Sequence, residues 1–388
     1  MIRTLLFALL FAPAAFAEIH PEYLEQADKA INDAIADHKC PGAVLLVGTA
    51  DKTVYLKAYG HRALQPQPVP MTTDTIFDLA SLSKSVGCAP SAMILVERGK
   101  IDVHQKAAHY LPGFGNHGKE EITVEELLLH RAGLIADDPI EDYKDGRTSA
   151  FAAMDQSTPR WKPNTHYTYS DVSFITLGRI VEAASGEPLD KFAAENLFQP
   201  LGMSDTAYNP PESWRPRIAP TQMRDGHWMI GEVHDPRAYA MGGVAGHAGL
   251  FSTAQDLATF CQMILHNGEL NGHRVMSEAT VKMWTETHNL PAKEDSDEIA
   301  GRTYGFDVDT PYSGPRGDRF ERGTTFGHTG FTGTAFWIDP RHKCFYILLT
   351  NSVHPDGKGN VLALRRKVGT LAAEALLGPA GETQPSKP

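Results

Sequence analysis

A serine and a lysine three residues apart are the residues of this chain most ready for chemistry: Ser81-Leu82-Ser83-Lys84, inside the segment 78–85. If this segment starts a helix, the two side chains share one face. Ser81 then stands at the positive end of the helix, where a developing oxyanion is stabilised. Lys84 stands one turn deeper, placed to take the Ser81 proton or to hold another base ionised. A serine hydroxyl is a weak nucleophile until such a partner activates it. Alone, the pair carries little weight. Such spacing arises by chance, and a capping serine before a solvated lysine is the plain alternative.

Two further segments add to it. Tyr167-Thr168-Tyr169-Ser170-Asp171 precedes a helical pattern, so Tyr169 and Asp171 are two apart in a loop and can face one cleft. Gly327-His328-Thr329-Gly330-Phe331-Thr332-Gly333-Thr334 leads into a predicted strand, and its glycines let a backbone or a ligand come close. Read singly, Tyr169 fits a core tyrosine as well, and His328 a structural histidine at a strand end.

The elements that must hold these residues follow from pattern and composition. The chain has 388 residues, 42% of them hydrophobic, enough for one large domain or two intimately packed ones. Its formal net charge is -11 and no run of Lys or Arg stands out, which argues against a nucleic-acid partner. Met1-Ile2-Arg3, an apolar run from Leu5 to Phe11 and Ala15-Phe16-Ala17 form a leader with a cleavage site after Ala17. The expected mature protein starts at Glu18 and is periplasmic or secreted. No stretch has the ~20 apolar residues of a membrane span. Cys40, Cys88, Cys261 and Cys344 are irregularly spaced and are expected to be buried free thiols. The 17 histidines form no metal-binding array, and neither metal nor cofactor is expected.

Glu22 to His38 reads as a helix. Gly42–Gly48 and Thr53–Tyr59 read as two strands joined by a hairpin at Ala50-Asp51-Lys52. A helix is expected from Ser81 to about Gly99, kinked at Pro90. Glu125–His130, Phe174–Ala184, Leu189–Leu197 and Ala254–Leu265 are helical in pattern, the last with a cap at Ser252 or Thr253. Tyr304–Val308, Thr334–Ile338 and Phe345–Leu349 read as strands, and Val361–Leu377 as a closing helix. The stretch 285–325, rich in charge, Gly and Pro, reads as a surface excursion. This is an α+β fold: an antiparallel sheet from both ends of the chain, flanked by helices, with an inserted mainly helical lobe. The boundaries are 1–17 for the leader and 18–378 for the catalytic domain. Within it the sheet lobe covers about 20–98 and 270–378, and the helical lobe about 99–269. A polar tail covers 379–388.

Three ordered motifs and their neighbours resemble the serine β-lactamase and penicillin-binding-protein superfamily, on its class C, carboxypeptidase and esterase side. Ser81-Leu-Ser-Lys84 matches its S-x-x-K, Tyr169-Ser-Asp171 its Y-x-N, and His328-Thr329-Gly330 its K-T-G. Leu127–Leu134 (LLLHRAGL), Gln199–Met203 (QPLGM) and Gly249–Ala254 (GLFSTA) agree as well, and the likeness runs from about 25 to 375. The resemblance implies that Ser81 attacks a carbonyl and forms an acyl-enzyme. Tyr169 is then the general base, with Lys84 lowering its pKa; a neutral Lys84 as base is the rival assignment. The oxyanion hole would be the backbone N–H groups of Ser81 and Phe331. Asp171, His328, Thr329, Gly330 and His247 would contact substrate.

Two departures bear on substrate. Asp171 stands where the family has Asn, and His328 where it has Lys. An ionised Asp only accepts hydrogen bonds, and a neutral His carries no charge. Both changes make the cleft less welcoming to the carboxylate of a β-lactam. Gly231–Pro236 (GEVHDP), Ala240–Phe251 (AMGGVAGHAGLF) and the 327–334 stretch look like an exported subgroup linked to cell-wall recycling, some of whose members cleave the N-acetylmuramoyl-L-alanine amide. In that setting His234, Asp235 and His247 would line the cleft or brace its loops. The expected activity is hydrolysis of an amide in a peptidoglycan fragment. A carboxylesterase or weak β-lactamase is the alternative enzyme, and a penicillin-sensing or wall-binding pseudoenzyme the alternative of another class.

Overall fold

Two hairpins from opposite ends of the chain share one sheet. In a computed structural model, residues 19–379 are described; the leader and nearly all of the polar tail lie outside them. Numbered in chain order within this sheet, the strands are β1 Gly42–Thr49, β2 Thr53–Ala63 and β3 Val69–Pro70. Then come β4 His288–Pro291, β5 Ile299–Arg302 and β6 Asp307–Asp309. The last three are β7 Phe326–Thr329, β8 Ala335–Asp339 and β9 Cys344–Thr350. Their spatial order is β4-β5-β6-β7-β8-β9-β1-β2-β3 and all pairs are antiparallel.

The period of two along β1 builds two cores at once. Ala43, Leu45 and Val47 face the cluster made with the helices Pro21–Ala36 and Leu362–Leu377. Val44 and Leu46 face the larger cluster, which includes Phe260 and Ile264 of the helix Ala254–Leu265. Both faces are covered, so β1 is an unbroken apolar run. Between residues 99 and 269 the chain is mainly helical, as its pattern implies, with short strands beside Ser81.

The expected helices form, several with the caps that stop and start them. Thr123 and Glu126 make a reciprocal capping box, and Thr253 accepts from the Asp256 N–H. The helix expected from Ser81 runs without a break from Leu82 to Glu97, and within it Lys84–Cys88 is a π turn. Pro90 lies inside this run, just after the π turn and in the first turn of the α-helical part Ala89–Glu97. The stretch 285–325 is not a surface excursion. It supplies β4, β5 and β6, and it buries Arg302 against Asp307. All four cysteines are buried and free.

Candidate active site

Ser81 is held by the residues before it. Ala80 adopts φ 48°, a left-handed conformation that costs an alanine about 1 kcal/mol. Asp78 offsets that cost. One of its carboxylate oxygens accepts the Ala80 N–H at 2.8 Å, the other the His234 N–H at 2.6 Å. Burial pushes the Asp78 carboxyl up to about 6, against the pull of those two N–H groups. The Leu79 N–H donates to Leu250 O at 2.9 Å, and the Leu250 N–H to Ser83 Oγ at 3.0 Å. Ser81 therefore leaves a strained turn clamped from two sides, and the π turn follows directly. Such bulges cluster at functional sites.

Lys84 is fully buried. Its ammonium donates to Ser81 Oγ at 3.0 Å and to the His247 carbonyl at 3.2 Å, and it lies 2.6 Å from Asp171 Oδ1. Burial alone would depress its pKa; the Asp171 carboxylate and Tyr169 outweigh burial and hold it above the usual lysine range. Tyr169 reaches both Lys84 and Ser81. Burial raises its pKa above the usual phenol value, and Lys84 only partly reverses this. The resting site is thus a neutral serine and phenol beside a closed Lys84–Asp171 ion pair. Asp171 was expected to face substrate; one oxygen of its carboxylate meets Lys84, and its side chain keeps 18% exposure.

Behind Tyr169 lies a buried polar layer. His130 packs 4.6 Å from the Tyr169 ring and accepts the Ser170 N–H at Nδ1, 3.0 Å away, which leaves its proton on Nε2. His328 lies 6.0 Å from the same ring, and its Nδ1 donates to Thr329 O at 2.8 Å. Burial pushes the His328 imidazole down to about 4, so it stays neutral near pH 7. Arg302 pairs with Asp307 and reaches the Tyr167 hydroxyl at 3.4 Å. The Arg302–Asp307 pair was missed because Arg302 falls in the stretch read as surface and Asp307 was read only as part of a strand; their charges are paired, not solvated.

The turn after β7 presses on the nucleophile segment. Thr332 Oγ1 donates to Asp78 O at 2.7 Å, and Thr334 Oγ1 to Leu79 O at 3.0 Å. A Cβ on Gly330 would fall 2.3 Å from Leu79 O, so this close approach needs glycine. The buried Arg365 guanidinium donates to the carbonyls of Gly330 and Thr334 from the last helix. The N–H groups of Ser81 and Phe331 make no hydrogen bond among the described residues. Two free donors beside a serine are what an oxyanion hole requires.

His247 is brought to the site chiefly through its backbone. Its ring is buried, with Nε2 3.0 Å from Asp235 Oδ1. Asp235, Asp171 and His247 each offer one ligand atom within 4.8 Å of the others. They could hold a cation by spacing, but the Lys84 ammonium already meets this group. A separate cavity of about 560 Å³, lined by Asp51, Thr259, His266 and Arg274 among others, shares no residue with the site and offers no serine–lysine pair.

A buried lysine on a helix-start serine, a tyrosine against both and a glycine-edged strand define a serine hydrolase site on an α+β fold. The chain belongs to the Beta-lactamase family, whose model matches residues 27–370, and it is a hydrolase. It is 33% identical over 376 residues to an Escherichia coli O157:H7 protein provisionally described as a D-alanyl-D-alanine carboxypeptidase, covering 87% of this chain and 84% of that one. It is 32% identical over 377 residues to an N-acetylmuramyl-L-alanine amidase of Bacillus subtilis, covering 88% and 83%. A penicillin-binding protein homologue from Caulobacter crescentus shares the fold, with a TM-score of 0.73 at 21% identity over 93% of this chain and 99% of that one.

Proposed function

We propose that this protein is an exported serine hydrolase that cleaves an amide in peptidoglycan-derived fragments through an acyl-enzyme on Ser81. The observation that carries this reading is the buried Lys84 ammonium, 3.0 Å from Ser81 Oγ and paired with Asp171. The leader at 1–17 supports export, and the two relatives named for wall amide bonds support the substrate class. The bond is that of an N-acetylmuramoyl-L-alanine amidase or of a D-Ala carboxypeptidase.

In this reading Ser81 Oγ attacks the amide carbon, and its proton enters the Tyr169–Lys84–Asp171 set. The negative charge on the carbonyl oxygen is taken by the N–H groups of Ser81 and Phe331. Collapse breaks the C–N bond, and the set returns a proton to the leaving amine. Water then attacks the Ser81 ester, gives a proton to the same set, and releases the acid and free Ser81. With Lys84 charged and Tyr169 neutral at rest, Lys84 passes a proton to Asp171, 2.6 Å away, before it takes the proton of Ser81. Thr329 and Gly330 border the substrate on the other side.

A neutral His328 supplies no fixed cation for the carboxylate of a β-lactam. The test compares kcat/KM for a muramyl-dipeptide, a small acyl ester and a cephalosporin. The reading expects clear turnover of the muramyl-dipeptide and slow turnover of the cephalosporin. A cephalosporin preferred by more than ~10-fold, about 1.4 kcal/mol of transition-state preference, contradicts it. Turnover of the ester alone supports a carboxylesterase, and turnover of nothing supports a wall-binding pseudoenzyme.

A further inference from the structure

Phe331 is 74% exposed, the most exposed large hydrophobic side chain among the described residues. It sits next to Gly330 on the turn pinned to Asp78 and Leu79, the residues two or three before Ser81 in the chain. Single exposed apolar residues need no explanation, but this one is at the rim of a catalytic cleft on a rigid turn. Its ring lies over that of His234, 5.6 Å away and 24° from parallel. His234 is itself fixed, by its N–H to Asp78 and by Nε2 to Gln222 Oε1 at 2.6 Å. Burial lowers its pKa, which keeps the imidazole neutral near pH 7. The pair is therefore an uncharged aromatic step.

The groups beside this step point to the chemistry of its occupant. Asp235 follows His234 in sequence, and its carboxylate comes within 4.8 Å of that of Asp171. One oxygen of each is taken, by Lys84 at Asp171 and by His247 and the Ala238 N–H at Asp235, so the second oxygen of each is the acceptor that matches hydroxyl and amide N–H donors and opposes a second carboxylate. Tyr312, 45% exposed, packs 4.9 Å from Tyr169 and adds a second aromatic surface to the cleft. A flat apolar face with acceptors at its edge fits a pyranose ring, whose C–H face is apolar and whose rim is lined with donors.

We propose that Phe331, backed by His234, is the platform for the sugar ring of the substrate, so that this cleft recognises a saccharide directly beside the bond that Ser81 attacks. The proposal rests on the wall-fragment reading above and names its sugar subsite. Phe331 thus serves twice, through its backbone N–H and through its exposed ring.

The test uses the full-length Ser81→Ala protein, which holds ligand without turnover. Calorimetric titration compares a muramyl-dipeptide with the same dipeptide lacking the sugar. The sugar-bearing ligand should bind at least ~10-fold tighter, about 1.4 kcal/mol. Adding Phe331→Ala should erase that advantage, and Phe331→Trp should keep it. Equal binding of the two ligands overturns the proposal, as does an advantage that survives Phe331→Ala or the absence of any binding by the sugar-bearing ligand. The two readings fail separately. If the wild type does not cleave muramyl-dipeptide while the sugar advantage and its Phe331 dependence stand, only the amidase reading falls. If it cleaves while the advantage ignores Phe331, only the platform falls.

Discussion

Asp171 changes how the catalytic set works. An Asn at this position could offer donors to substrate; the Asp gives Lys84 a counter-charge at 2.6 Å. Removing one partner of a buried pair leaves an uncompensated charge and costs ~3–5 kcal/mol unless that charge is shed. In Asp171→Asn the lysine should lose its proton at lower pH, and the set loses its ionised acceptor. We expect turnover of the muramyl-dipeptide to fall at least ~10²-fold, with an altered pH–rate profile. Asp171→Glu should recover part of the rate. Activity of Asp171→Asn within a few-fold of wild type would mean that Asp171 serves substrate alone. His328 gives a second residue-scale prediction. Its imidazole, ordinarily near 6.5, is pushed down to about 4, first by burial and then by Arg302 and Lys84, against Asp307. Below pH 6.5 the unfolded chain takes a proton that the folded chain refuses until about pH 4. The stability tied to His328 is whole above pH 6.5 and is lost as pH falls through this window, by up to about 3 kcal/mol. Urea melts between pH 7 and pH 4 should therefore show a steeper loss for wild type than for His328→Gln. Parallel loss would contradict the buried neutral imidazole. The grouping of Ser81, Lys84 and Tyr169 was legible from three ordered motifs read together, since none of them is telling alone. The partner of Asp171 was not, because a loop Asp reads alike whether it meets a lysine or a substrate.

At the scale of elements, the site depends on two backbone features. One is the left-handed Ala80 with the π turn after it; the other is the turn 330–334 that lies against Leu79. A Cβ on Gly330 would meet Thr334 Oγ1 at 2.1 Å and Leu79 O at 2.3 Å, closer than atoms approach. Gly330→Ala must push the turn away from Ser81 and move the Phe331 N–H. We expect a loss of at least ~2 kcal/mol in stability, in the range of overpacking. We also expect a loss of ~10²-fold or more in kcat, the scale of a lost oxyanion donor. A variant with wild-type Tm and kcat would show that the close approach is not needed. The paired strands β1, β2, β8 and β9 were legible because long apolar runs between turns leave little choice. Strands β4 and β5 were not, and β6 was read only in part, as Tyr304–Val308. They are three or four residues long, too short to show a period, and the Arg302–Asp307 pair made a buried edge read as a charged surface. The π turn left no signal either, since Pro90 accounts for a disturbed helix equally well.

At the scale of the molecule, a sheet closed by both chain ends carries a mainly helical middle, and the site lies where they touch. Ser81 and Lys84 follow the first hairpin, Tyr169 and Asp171 lie at the start of the helix Asp171–Ser185, and His328 to Phe331 run from the end of β7 into the turn after it. Any loosening between these parts separates the serine from its proton acceptors. This explains why so many bonds to Asp78 and Leu79 come from distant segments: Leu250, His234, Thr332 and Thr334 all reach them. The central claim is that Ser81 cleaves a wall amide. The most direct measurement is mass spectrometry of a muramyl-dipeptide digest, run with wild type and with Ser81→Ala. The account predicts that wild type yields free N-acetylmuramic acid and a dipeptide with a new amino terminus, at least ~10³-fold faster than Ser81→Ala. An intact muramyl-dipeptide after wild-type digestion would contradict the N-acetylmuramoyl-L-alanine amidase, and equal product from the Ser81→Ala protein would contradict the role of Ser81.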